Sequence, residues 1–331
     1  MTDFPPLTFD PDALDPEASV LLPRLSDSDP VVRRIALLEL ADLEDENLLP
    51  PIVDALRHDA SADVRREAAR VLAAWEREEV VDALCGALLD RDEAVRLAAA
   101  QSLSELKDAT SGPVLLRWIA RTEPFVQMAV LRALRELRLA DAFDPALRAL
   151  SHSLAAVRLE AVGVLGWLKD PRALAQLASV AAGDADPDVR RAAVGALGLC
   201  PEPTPPIVDA LLSALRDDAW QVREEAATTL GKLRAPRARE ALVASLDDPY
   251  WQVRLKAARA LGRLRDAAAG PALAVLLSHA ISNLRKEAAL ALGELGDSRV
   301  LTALLGAQGD ADPEVRKAVR IALRQIGGHP A

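Results

Sequence analysis

Aromatic residues, cysteine, methionine and histidine are all scarce in this 331-residue chain: 3% Phe, Trp and Tyr, two Cys, two Met and four His. Strands favour aromatic and β-branched residues, so a core without them weighs against a sheet. Half of the chain is apolar, and Ala and Leu, the strongest apolar helix formers, dominate that half. An all-α chain is expected. The two cysteines, Cys85 and Cys200, are far apart in apolar segments, which excludes a disulfide framework and suits free thiols in a reducing compartment. None of His58, His152, His279 and His329 is followed by Glu or stands at metal-ligand spacing, so no metal site is expected. No run of 18 apolar residues occurs, so no membrane span is expected. Basic charge is also in deficit, with 40 Lys and Arg against 50 Asp and Glu and a net charge of -10, which disfavours nucleic acid as a partner. No Ser-His-Asp set, glycine-rich phosphate loop or paired-carboxylate motif is present. The expectation is a non-enzyme that needs no cofactor.

What the chain does have is a repeat. An acidic residue followed by Val-Arg and then Ala returns at Val32, Val64, Val95, Val126, Val157, Val189, Val222, Val253, Leu284 and Val315, always 31 to 33 residues apart. Around Val253 the unit reads as two helices. The first runs over roughly Arg237–Leu246 with Ala241, Leu242 and Leu246 on one face; Asp247, Asp248 and Pro249 form a turn. The second runs from about Tyr250 to Leu264 and buries Val253, Ala257, Ala260, Leu261 and Leu264. Asp29-Pro30, Glu123-Pro124, Asp186-Pro187 and Asp312-Pro313 supply a cap acceptor and a ring-fixed first turn for second helices. Ala stands four residues after most anchors, and Gly166, Gly198, Gly231, Gly262 and Gly293 stand nine after theirs. A glycine inside a helix costs about 1 kcal/mol against Ala, so its periodic return predicts close backbone contact between neighbouring helices.

Residues 1–16 carry Asp3, Asp10, Asp12 and Asp15 with Pro5, Pro6, Pro11 and Pro16, without the basic start and apolar run of a signal peptide; the protein is expected in the cytoplasm. These residues form an acidic, proline-rich arm that would cover one end of the array. Arg316, Lys317, Arg320, Arg324 and Gln325 make the last second helix a polar cap. The segment Cys200-Pro201-Glu202-Pro203-Thr204-Pro205-Pro206 marks a bend between a block at 17–200, repeats one to six, and a block at 201–331, repeats seven to ten, although rigid packing across it is the alternative.

The motifs from Asp248-Pro249-Tyr250-Trp251-Gln252-Val253-Arg254 through Ala260-Leu261-Gly262, and Asp310-Ala311-Asp312-Pro313-Glu314-Val315-Arg316, resemble the HEAT-like repeat family. The short bacterial and archaeal type is the one resembled, typified by phycobilin lyase subunits and related artificial binders, and the resemblance extends over about residues 17–326. It implies a right-handed α-solenoid, a superhelix of about ten two-helix repeats. It also implies a ladder: Asp27, Asp59, Asp90, Asp184, Asp217, Asp248 and Asp310 stand five before the anchor, and arginines from Arg33 to Arg316 stand one after it. The ladder breaks at Arg121 and Gln127, which replace both partners in the fourth unit, and at His152 and His279. Either those sites have local substitutes, the reading preferred here, or a ligand needs the space.

By the same resemblance the second helices line the concave, partner-facing side. Position by position this selects Trp220, Gln221 and Glu224; then Tyr250, Trp251, Gln252, Leu255 and Arg259; then Lys286; and, earlier in the chain, Phe125, Met128 and Leu159. Trp220 and Trp251 occupy equivalent positions, and aromatic anchors dominate interface energetics, so a groove centred on repeats seven and eight is expected. The competing reading is that the rings pack over the turns between helices. The expected role is a scaffold or adaptor for a protein partner. The alternative is a phycobilin lyase-like subunit or tetrapyrrole carrier, since a Trp-lined groove suits a flat ring system. The His-Glu pairs of deoxyhypusine hydroxylase are absent, and the acidic charge opposes the basic groove of HEAT-like DNA glycosylases.

Overall fold

A second helix starts where a side-chain acceptor meets the unsatisfied N–H groups of its first turn. In a computed structural model of the chain, which describes residues 15–199 and 203–327, Asp29 accepts from the Val31 amide, Asp186 from Asp188 and Val189, and Asp312 from Glu314. Pro30, Pro187 and Pro313 follow these caps and set the helical φ of the first residue. Glu123, the fourth expected cap, makes no such bond. Its carboxylate hangs one methylene further out, and its Oε2 is buried without a hydrogen-bond partner. Most of the N-terminal arm and Cys200–Glu202 of the proline-rich segment lie outside the described residues.

Every regular element among the described residues is helical, and the helices alternate as ten pairs. The chain divides into two compact units, Met1–Leu168 and Lys169–Ala331. In the first unit the pairs are Pro16–Leu21 with Pro30–Asp42, Leu49–His58 with Ala62–Val71, Glu78–Ala87 with Glu93–Ser104, Gly112–Trp118 with Pro124–Leu137, and Phe143–Ala149 with Ala155–Leu168. In the second they are Leu174–Gly183 with Pro187–Leu197, Pro205–Ala214 with Trp220–Lys232, Arg239–Ala244 with Trp251–Leu264, Gly270–Val275 with Ser282–Leu295, and Leu301–Gly306 with Pro313–Gly327. Each unit is an α-solenoid, a stack of helical hairpins with its core between the row of first helices and the row of second helices.

The anchor positions are that core. Val64, Val95, Val126, Val157, Val189, Val222, Val253, Leu284 and Val315 are all buried, and Val32 is half-buried. In the eighth repeat Val253, Ala257, Ala260 and Leu261 are buried as the pattern predicts. Leu264 is half-exposed and Ala258 takes a place in the core that the pattern did not assign. The first helix there is shorter than expected, because the turns Pro236–Ala238 and Ser245–Asp247 wind as 3-10 segments on either side of Arg239–Ala244.

The glycine stripe is a close-packing device. A Cβ placed on Gly231 would lie 2.7 Å from Ala260 Cα, one on Gly262 2.8 Å from Ala291 Cα, and one on Gly293 2.7 Å from Ala322 Cα. Each glycine therefore lets the backbone of the next second helix approach, as the periodicity predicts. At the exposed end of the stack Lys317, Arg320, Arg324 and Gln325 face solvent.

Candidate functional site

Two features at the edge where first and second helices join define the candidate sites: a repeated ladder with its irregular rungs, and one aromatic cluster. The first feature is the ladder. Arg33 reaches Asp59 with Nε at 2.7 Å and Nη2 at 2.8 Å, while its Nη1 donates to the carbonyl of Asp27 at 2.7 Å in its own repeat. Arg65–Asp90, Arg190–Asp217, Arg223–Asp248 and Arg285–Asp310 reproduce this fork. The same carboxylate accepts the amide two residues on, so one Asp both shapes the turn and joins two repeats. Burial pushes the carboxyls of Asp59, Asp217 and Asp248 up, but hydrogen bonds from Arg33, Arg190 and Arg223 and from the turn amides outweigh it, and all three titrate below the ordinary carboxylate range. For Asp90 and Asp310 the hydrogen bond from the arginine is the largest influence, and they are lowered as well.

Three rungs depart from the pattern, each differently. Arg96 has no Asp to meet; its guanidinium lies 5.9 Å from the centre of the Phe125 ring, and Arg121 lies 5.1 Å from that of Trp118. Aromatic faces thus stand in for carboxylates there. At the eighth rung Arg254 Nη1 faces His279 Nε2 at 3.1 Å. At the fourth, Gln127 and His152 stand where an arginine and an aspartate stand elsewhere, and Gln127 Nε2 donates to the Arg121 carbonyl at 2.7 Å.

The second feature is a cluster of aromatic side chains in the second unit. Trp220 and Tyr250 stack with ring centres 5.4 Å apart and planes inclined by 14°, and the Arg223 guanidinium lies 5.7 Å from the Tyr250 ring. Since Tyr250 precedes the helix Trp251–Leu264 and Trp220 opens Trp220–Lys232, the second helix of the preceding repeat, this stack sits over the joint between adjacent repeats, beside the Arg223–Asp248 rung. Trp251 keeps 39% of its surface exposed and Tyr250 45%. Along the same helix Leu255 and Arg259 follow Trp251 at i+4 and i+8, with Leu255 half-buried.

The other selected residues divide by what they already hold. Arg259 forks onto the buried Glu287 in the second helix of the next repeat, both bonds 2.7 Å, and Glu224 lies 3.7 Å from Lys256. Gln221 is exposed, Gln252 and Lys286 are half-buried, and Gln252 Oε1 is buried without a partner. In the first unit Leu159 is exposed while Phe125 and Met128 are half-buried, and the neighbouring Glu160 is buried under Arg132 and Arg135. These arginine–glutamate stitches between second helices escaped the sequence reading. Their signal is a shared 28-residue offset, from Arg132 to Glu160 and from Arg259 to Glu287.

A family signature described as HEAT repeats matches residues 49–135, 119–198, 175–254 and 240–324. The chain belongs to the HEAT-repeat family. Among solved structures, this HEAT-repeat chain is similar to YibA of E. coli, with a TM-score of 0.60 and 19% identity over 82% of this chain and 99% of that one. An engineered protein gives a TM-score of 0.53 and 22% identity over 94% and 99% of the two chains. Kap95p, solved in a study of its binding to RanGDP, gives a TM-score of 0.68 and 15% identity; the match takes in 96% of this chain and 51% of Kap95p, about half its length. At these identities the likeness is one of fold. No curated protein matches the sequence. Among the described residues no group of three His, Cys, Asp or Glu is placed to hold a metal ion, and no helix is long and apolar enough to cross a membrane. Cys85 is buried, which pushes its thiol far above the usual range and leaves it a packing residue.

Proposed function

We propose that this HEAT-repeat protein is a non-catalytic scaffold that captures a protein partner on the second helices of its second unit, around Trp251. The observation that carries the reading is the exposure of Trp251 and Tyr250 side by side at the head of a helix whose outer stripe continues through Leu255. Aromatic side chains bury large area at little entropic cost, and a partner covering them gains more than one covering the charged surface nearby. The Trp220–Tyr250 stack supports the same reading, because it fixes one ring of the patch before any partner arrives. The protein binding in the description of Kap95p is consistent with a scaffold of this fold.

The test is site-specific photo-crosslinking in cells with the crosslinker at Leu255, compared with the crosslinker at Val275, an exposed residue of a first helix. A discrete adduct from Leu255 that disappears in Trp251→Ala, with circular dichroism unchanged, is expected. Adducts that persist in Trp251→Ala, or that arise only from Val275, would overturn the assignment.

A further inference from the structure

A second helix turns the residue three after its anchor toward the second helix of the preceding repeat. Glu160 meets Arg132 and Arg135 there, Lys256 lies 3.7 Å from Glu224, and Glu287 receives Arg259. In the first repeat this residue is Ile35, which has no earlier repeat to meet among the described residues and is 43% exposed. Val31 and Leu38, one turn to either side, are 50% and 42% exposed, so an apolar stripe runs along the outer face of Pro30–Asp42. The same missing neighbour leaves Val32 half-buried where every other anchor is buried. Terminal repeats of a solenoid need an outer face that water accepts. The last second helix meets solvent with Lys317, Arg320, Arg324 and Gln325, but the first meets it with this stripe.

A cation beside the stripe lacks the partner that its counterparts have. Arg66 and Arg191, two residues after their anchors, pair with Asp63 and Asp188, one residue before them, at 3.0 and 3.5 Å. In the first repeat Val31 takes the place of that aspartate, and Arg34 makes no ion pair among the described residues. The face therefore suits apolar side chains with a carboxylate beside them. Residues 1–14 carry that combination: Phe4 and Phe9 are two of the four phenylalanines in the chain, Leu7 stands between them, and Asp3 and Asp10 adjoin. Pro5 and Pro6 separate Phe4 from Leu7, and in the polyproline II conformation that proline favours, residues three apart share one side at about 9 Å. Along a helix, Val31 and Leu38 are about 10 Å apart. Asp15 caps Pro16–Leu21, which packs against Pro30–Asp42. Extended, the chain from Phe4 to Asp15 spans about 36–40 Å, and Pro30–Asp42 is only about 20 Å long, so the whole stripe is within reach.

We propose that residues 3–10 dock on the outer face of Pro30–Asp42, with Phe4 and Leu7 against Val31, Ile35 and Leu38 and with Asp3 or Asp10 paired to Arg34. The segment thereby supplies the cover that a preceding repeat supplies elsewhere in the stack. Its prolines restrict the free chain, so docking costs less conformational entropy than it would for an ordinary segment of this length. The aromatic patch of the second unit plays no part in this contact, and neither reading depends on the other.

Irradiating the purified full chain with benzoylphenylalanine in place of Phe4 tests this directly. Mass-spectrometric mapping is expected to find an adduct within one molecule, on Pro30–Asp42, at a yield independent of protein concentration. Ile35→Asp sets a carboxylate in the stripe at an exposed position, so helicity is expected to hold while that adduct falls at least about tenfold. Removing residues 2–10 leaves the helix itself unaltered, and is expected to speed hydrogen exchange of the Pro30–Asp42 amides at least about tenfold without affecting Pro313–Gly327. Adducts on other elements, or an adduct undiminished in Ile35→Asp, would overturn the proposal. So would exchange that is unchanged by the truncation, or adducts that join two chains and make a second copy the occupant of the stripe.

Discussion

At the scale of single residues, the ladder shows how strictly a rung depends on a carboxylate. His279 keeps half of the aspartate's work, because its Nδ1 accepts the Ile281 amide at 3.0 Å as Asp248 accepts that of Tyr250 at 2.9 Å. The other half fails. A neutral imidazole accepts at one nitrogen only, so Nε2 carries the proton and meets Arg254 Nη1, a second donor, while Arg254 Nε is buried without a partner. His279→Asp is therefore expected to complete the fork seen at Arg223–Asp248 and Arg285–Asp310, and to stabilise the protein by about 1 kcal/mol, the usual net worth of a satisfied hydrogen-bonded contact. Urea denaturation monitored by circular dichroism measures this; a midpoint unchanged or lowered in the variant would reject the account.

Helix packing turns on the same kind of local question, with the sign set by what lies opposite. Glycine to alanine inside a helix ordinarily stabilises by up to about 1 kcal/mol. At Gly262 the new methyl would press on the Ala291 backbone at 2.8 Å, and backbone does not yield as a flexible side chain does, so Gly262→Ala is expected to destabilise by about 1–3 kcal/mol. At Gly306, with nothing within 4 Å, the same change is expected to stabilise. Opposite shifts in melting temperature would bear this out; shifts of one sign at both positions would not. This contact was legible in the sequence, since a glycine recurring every 31 to 33 residues in a helix has to be there for a neighbour. The anchors, the Asp-Pro caps and the intact rungs were legible for the same reason, because each recurs at a fixed place in the repeat; the Glu123 cap, which forms no bond, was not. What periodicity cannot show is which non-periodic side chain meets which. That Trp220 stacks on Tyr250, that Phe125 covers Arg96, and that Arg259 is held by Glu287 depend on the separation of neighbouring helices. The left-handed ends of second helices are of this kind too: Arg138, Arg265 and Gly296 adopt positive φ at equivalent positions, but only the last announces it by being glycine.

For the molecule as a whole, each repeat is stabilised chiefly by its neighbours, so a linkage present at many rungs acts along the length of each unit. Asp59 and Asp90 in the first unit, and Asp217, Asp248 and Asp310 in the second, all have carboxyls held below their ordinary range. A group whose pKa is lower folded than unfolded binds protons more readily in the unfolded chain. Its contribution is fully present above the unfolded value, about 4, and is lost as pH falls through the depressed folded values. Urea midpoints are thus expected to hold steady from neutral pH to about pH 5 and to drop below about pH 4. Replacing Asp90 with Asn lowers the midpoint at pH 7 and removes one carboxylate from the linkage, so the drop between pH 5 and pH 3 becomes shallower than in the unaltered chain. A variant as pH-sensitive as the parent would show that the Arg65–Asp90 rung contributes nothing to acid stability, and that the ladder orients the repeats without holding them together.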